Sequence, residues 1–340
     1  MGDGATRPGL VRPVRLDPNG LSGPTRGQAR SRQWARSSHG YYVPSGVDRA
    51  GAEQRILEAS VLVPRGGAVT GWAALCWQGG RWFTGKGPDG TPLPVPLLIS
   101  TADIRPQSPI VVCGEGCGPA HVRVVDGVPV TDPVWTVAFL MRRAVDVRTA
   151  VMVFDMAAYS DLVSTAEVTE RLGQQCSWTG IPQAREALAL VSENAWSPQE
   201  VFMRLSWTIA GGRRMPETNV PLFDSLGQHI GTPDLLDRAA GVVGEYDGTH
   251  HLARDRRVGD IDREEVFRAH GLEIVRSTAG GSLDSFLTRL HGAYRRAGRR
   301  TGSRSWTADP PPGWISTRTV DQRRALSADL RGRLLRYRSA

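Results

Sequence analysis

Cysteine is scarce in this chain of 340 residues: Cys76, Cys113, Cys117 and Cys176 are too few and too scattered for a disulfide framework. Lysine is scarcer still, with Lys86 alone among 42 basic residues, so nearly all the positive charge is guanidinium. Nothing approaches the roughly 18 consecutive apolar residues of a bilayer span, and Met1 to Gly20 holds Arg and Pro where a signal peptide needs an apolar run. These absences argue against a disulfide-stapled secreted fold and against a membrane helix, and a cytoplasmic location is expected. Cys113, Cys117 and His121 offer three metal-ligand types within "CGEGCGPAH". A structural zinc site wants a second close pair, so the run is read as a loop with reduced thiols.

Hydrophobic residues make up 40% of the chain and charged residues 22%, enough apolar content to bury a sizeable core. The length suits about two domains with terminal extensions. The net charge of +8 is unevenly spread: Arg299 to Ala340 holds ten Arg against three Asp, and Met1 to Ala50 eight Arg against three Asp. Basic ends of this kind pair bidentately with phosphates, and they equally serve solubility.

Residues 1–30 have no apolar period and are expected to form a flexible basic arm. A mixed α+β module is expected over 31–190. It opens with a short strand in "GYYVPSGVD" and a helix carrying Ala52, Ile56, Ala59 and Val63 on one stripe. "AVTGWAALCW", "PVPLLIS", "PIVVCG" and "AHVRVVDGVPVT" read as short strands, and "DPVWTVAFLMRRA" and "VRTAVMVFDMAAYS" as helices. Trp72, Trp77, Trp82 and Phe83 are assigned to the core.

A second domain is expected over 197–297. Ser197 as N-cap, Pro198 at the first helical position and Glu200 three residues after the serine make a capping box for a helix to about Ala210. "ETNVPLFD" and "IGTPDLLD" read as strands joined at "SLGQH", and "VVGEYDG" as a third. "VGDIDREEVFRAHG" is a helix closed by Gly271, "LEIVRST" a buried strand and "SLDSFLTRLHGAYRRA" a last helix, giving the order α-β-β-β-α-β-α. The fold class is therefore α/β.

Glu245 and Asp247 stand at i and i+2 on one predicted strand, so their carboxylates project from one face. Burying two like charges side by side is costly unless a cation or an arginine compensates. Asp234 reaches the same place from the preceding strand, and three carboxylates around Mg²⁺ (or Mn²⁺) would polarise a phosphodiester and activate a bound water. Singly, Asp234 reads as a turn residue after Pro233, Glu200 as a cap and His251 as a loop histidine. The ordered set reads as a site.

"SPQEVFMRLSW", "GTPDLLD", "VVGEYDGTHH" and "DIDREEVFRAHGLEIVR" resemble the domain-of-unknown-function group related to very-short-patch-repair endonucleases, within the PD-(D/E)XK restriction-endonuclease-like superfamily. The resemblance covers Ser197 to Ala297. It implies catalytic roles for Asp234, Glu245, Asp247, His251 and Glu200, metal binding by Asp234, Glu245 and Asp247, and nucleic-acid contacts by Arg263 and Arg276, with Asp260 completing the pattern. One departure is that Asp247 stands where the superfamily has a lysine, so water activation would fall to the metal with help from His251 or Arg263. Upstream, "GYYVP", "VTGWAALCW", "GVPVTDPVWTVAFLMRRA" and "AVMVFDMAAYS" look like actinobacterial AbiEi-type antitoxins of type IV toxin-antitoxin systems, with Trp135 of "TDPVWT" in place of the family's arginine. That likeness implies DNA, a cognate toxin or a second copy of the chain as partners.

Residues 298–340 read as a stiff linker, "DPPPGW", and a short amphipathic helix with Leu326, Leu330 and Leu334 on one face, expected to dock on the body. Three functions stay open: a metal-dependent endonuclease acting on nucleic acid, DNA first; a non-catalytic antitoxin-like or DNA-binding regulator that keeps the nuclease fold as scaffold; and an interaction protein whose basic tail only solvates it.

Overall fold

The computed structural model describes residues 7–99, 104, 107–247 and 264–338. They form two compact units, Met1–Leu140 and Met141–Ala340, each of mixed helix and strand. Among the described residues no helix is long and apolar enough to cross a membrane.

The first unit centres on a five-stranded sheet in the order Ile110–Cys113, Val95–Leu98, Ala68–Val69, Val128–Thr131, Val122–Val125. Asp126 and Gly127, both at positive φ (45° and 74°), make the two-residue turn that joins the last two strands. Helices Ala52–Ser60 and Gly71–Trp77 bury Ile56, Leu57, Ala73, Ala74 and Trp77 against Val69, Val95, Val128 and Val130. "GWAALCW" is thus a helix and not the strand expected of it. It is buried on nearly every side, and an apolar run without period cannot tell a buried helix from a strand.

The arm expected to be loose is held from residue 7 onward. The Arg7 Nε donates to Asp126 at 2.8 Å, its guanidinium lies 4.1 Å from the Trp77 ring, and it pairs with Glu53. Val14–Arg15 adds a strand beside Tyr41–Pro44. The "TDPVWT" run is a helix start: the Trp135 N–H donates to Asp132 Oδ1 at 2.9 Å, and buried Trp135 stacks on Phe139.

The second unit begins earlier than the sequence suggests, so the expected boundary near residue 190 falls inside it. Helices Val147–Tyr159, Thr165–Gly173 and Ile181–Leu188 belong to the same unit as Pro198–Leu205, tied to it by a buried ion pair in which Arg204 Nη2 meets Asp155 Oδ2 at 2.5 Å. Pro198–Leu205 is the capped helix, and it ends in a π-helical turn, Ser206–Ala210. Beyond it lies a four-stranded sheet in the order Glu273–Thr278, Val242–Asp247, Leu235–Asp237, Glu217–Thr218. The first pair is parallel and the other two antiparallel, and residues 264–269 are helical within the parallel crossover.

Strand alternation divides this sheet between two cores. Leu235, Val242 and Val275 pack with Met203, Trp207 and the helix Leu283–Gly298 through Phe286 and Leu290. Leu236 and Val243 pack with Val220, Leu222, Phe267, Leu272 and Trp306 on the opposite face. "ETNVPLFD" and "IGTPDLLD" are each broken in two, because Pro221 and Pro233 lack the N–H a ladder needs and Asn219 sits at φ 48°. Their inner pieces, Leu222–Phe223 and His229–Gly231, form a separate hairpin over the predicted "SLGQH" turn.

The basic tail packs on the unit, but not as the single amphipathic helix expected: it forms two short helices, Val320–Arg324 and Ala328–Leu334, with Leu326 in the turn between them. Arg323, fully buried, meets Asp161 Oδ1 at 2.5 Å and donates to the carbonyls of Thr317, Ala158 and Glu193. Arg324 pairs with Glu167, Arg331 with Asp161 and Arg318 with Glu217. Much of the positive charge that the composition places at this end is therefore neutralised inside the unit.

Candidate functional site

Ser197 caps its helix as predicted, its Oγ accepting from the Glu200 N–H at 3.2 Å. The Glu200 carboxylate reaches one residue further back than a capping box does: Oε2 accepts from the Trp196 N–H at 2.8 Å and Oε1 from the Ser197 hydroxyl at 3.0 Å. Oε2 also accepts from Asn219 Nδ2 at 2.7 Å. This anchors the helix start to the end of the sheet. Burial, and then the charge of Asp234, push the Glu200 carboxyl up to about 8 against the pull of those three donors.

Asp234 lies just outside the strand Leu235–Asp237, one residue before the Leu235↔Gly244 rung of the antiparallel ladder. Its Oδ2 accepts from the Tyr246 N–H at 2.7 Å, closing the ladder end with a side chain. Its carbonyl accepts from the Asn219 N–H at 2.9 Å. Glu245 is half-buried with its Oε1 fully buried, and Asp247 is half-buried two residues on. The sequence-predicted acids Glu200, Asp234, Glu245 and Asp247 thus gather at one end of one sheet.

Arg276 completes this end. It stands beside Glu245 in the parallel register, and its Nη1 lies 3.2 Å from Asp247 Oδ2 while its Nη2 lies 2.7 Å from Glu264. Burial acts against its charge, but Asp247 and Glu264 outweigh burial and raise its pKa. Asp247 is therefore shared with an arginine. Among the described residues no three of His, Cys, Asp or Glu converge closely enough to hold a metal ion as they stand. His251, Asp260 and Arg263 lie outside the described residues.

In chemical kind the donors suit a hard divalent cation, since all are carboxylate oxygens at or beside one end of the sheet. One more oxygen points the same way: Asn219 is 2% exposed, and its Oδ1 is buried without a hydrogen-bond partner among the described residues. Asp234, Glu245 and Asp247 are the residues that would hold such an ion, with Glu200 and Asn219 behind them. Sequence reasoning missed Asn219 and Glu264. Asn219 had a signal, since Asn tolerates a left-handed φ ahead of a proline-broken strand; Glu264 had none beyond its place on a helix.

Comparison of the chain with known protein families, with curated proteins and with solved structures finds no match in any of the three.

Proposed function

We propose that the second unit is a restriction-endonuclease-like domain that binds nucleic acid and hydrolyses its phosphodiesters with Mg²⁺ or Mn²⁺ held by Asp234, Glu245 and Asp247. The observation that carries this reading is the sheet end at which Asp234, just before the strand Leu235–Asp237, accepts from the Tyr246 N–H between Glu245 and Asp247, with those two acids on one face of their strand and the charge of Asp234 acting on Glu200. Such a set concentrates negative charge where a cation offsets it, and a metal bound there supplies Lewis-acid polarisation and an activated water. Glu200 positions Asn219 and the ladder end. Arg276 offers a guanidinium fork to a phosphate. The first unit would serve as the partner- or DNA-binding module.

A second reading has its own support: the ion pair that occupies Asp247 suits a non-catalytic, antitoxin-like scaffold. The two separate in one assay. Supercoiled plasmid and structured RNA are incubated with the full chain plus Mg²⁺ or Mn²⁺, with chelator, and with an Asp234→Asn/Asp247→Asn variant of matched thermal stability. Metal-dependent nicking lost in the variant supports the nuclease. Absence of cleavage, together with salt-sensitive DNA binding, supports the scaffold.

A further inference from the structure

The acidic end of the sheet already holds a cation of the chain's own. Two terminal nitrogens of Arg276 are spread over two carboxylates from different elements, Asp247 on the central strand and Glu264 on the crossover helix. A planar fork makes such a bridge where a point-like ammonium cannot. The third nitrogen, Nε, is buried and has no hydrogen-bond partner among the described residues, so the guanidinium is held only through its tips.

We propose that Arg276 is a resident cation that competes with a divalent metal ion for Asp247 and must leave that carboxylate before the metal site closes. This rests on the reading of the acidic face as a metal site. Without metal, Asp234, Glu245 and Asp247 repel one another, and the guanidinium offsets part of that cost from the Asp247 side. A divalent ion makes the same compensation with more charge, so the two cannot both use Asp247. Once displaced, the guanidinium keeps Glu264 and presents its other edge to a phosphate oxygen, which couples metal binding to phosphodiester binding in both directions. Arg289 marks the difference between general charge and specific contact: it donates to the Arg276 carbonyl at 3.0 Å and to the Ser285 hydroxyl at 2.8 Å.

The test is calorimetric titration of Mn²⁺ into the full chain, comparing wild type with Arg276→Gln, Arg276→Lys, Arg289→Gln and Asp247→Asn. Removing the bridge is expected to tighten Mn²⁺ binding about two- to fivefold in Arg276→Gln, the scale of one partly exposed ion pair. Arg276→Lys, which keeps the charge without the fork, should fall between that variant and wild type. Arg289→Gln removes the same charge and should bind as wild type does, and adding Asp247→Asn to Arg276→Gln should cancel the gain. Equal affinity in wild type and Arg276→Gln, or an equal gain in Arg289→Gln, overturns the competition and leaves the metal site standing. No Mn²⁺ binding by wild type and Arg276→Gln alike, with both folded by circular dichroism, overturns the metal reading and the competition together.

Discussion

The Arg204–Asp155 pair should govern the stability of the second unit, because it joins the capped helix to the helices before it with both side chains out of water, 1% and 0% exposed. Arg204 also donates to the Leu190 carbonyl at 2.5 Å, and Asp155 accepts from the Ser192 N–H at 2.8 Å. Arg204→Met keeps much of the side-chain volume and strands the carboxylate. Leaving one partner of a buried pair alone costs about 3–5 kcal/mol. At about 2–4 °C per kcal/mol for a unit of this size, the melting temperature should fall by about 6–20 °C.

The loss should depend on pH in a definite sense. Burial raises the Asp155 carboxyl from 3.8 to about 7, although Arg204 and the Ser192 amide both act to lower it. A raised folded pKa means that the folded state holds a proton the unfolded chain releases. The associated stability is full below the unfolded value of 3.8 and is lost as pH rises through about 7. Without Arg204 the folded pKa rises further, so the decline continues beyond pH 7 and the variant is hurt least near pH 5. Urea unfolding followed by circular dichroism at pH 5, 7 and 8.5 reads this directly. The double variant Asp155→Leu/Arg204→Met should recover most of the loss, since an apolar replacement of a buried pair is often neutral or better. A single variant that loses less than about 1 kcal/mol, or a double variant no better than the single, would refute the account.

Glu200 has the same sign: its carboxyl is raised from 4.5 to about 8, so wild-type stability should fall between those values, and Glu200→Gln should flatten that slope in thermal unfolding across pH 5–9. In the tail, Arg323→Met should cost about 3–5 kcal/mol in urea unfolding, as for other buried pairs broken from one side. Arg324→Gln, whose pair with Glu167 is about a third or more exposed on both sides, should cost less than about 1 kcal/mol. Gly180→Ala should destabilise severely, because φ is 82° and a Cβ would meet the Arg142 carbonyl oxygen at 2.0 Å. Gly90→Ala, at φ 80° with open space around it, should cost only about 1 kcal/mol in a parallel melting series.

The parts of the fold that are legible in the sequence are those where a period or a cap is written in adjacent residues. Ser197, Pro198 and Glu200 announce a helix start that the structure has, and alternation in "VVGEYD" sets Glu245 and Asp247 on one face of a strand. "GWAALCW" is not legible, because a helix buried all round carries no amphipathic signal. The hairpin between Asn219 and Asp234 is half legible: the turn is visible, but Pro221 and Pro233, whose breaks free it from the main sheet, read as strand interiors.

Charge is the least legible quantity, and the reason is physical. A count of arginines fixes the total but not the partners, and the partners of Arg318, Arg323, Arg324 and Arg331 lie more than 100 residues away, on Glu217, Asp161 and Glu167. The tail that composition presents as a phosphate-seeking strap is largely an internal clasp. Asp247 is a second case. Spacing alone puts it in a set of three equivalent acids, whereas the parallel register brings Arg276 alongside and makes it the one acid already shared with a guanidinium. The ion pair that sets Asp247 apart comes from a residue of the next strand, which intrastrand spacing could not reveal.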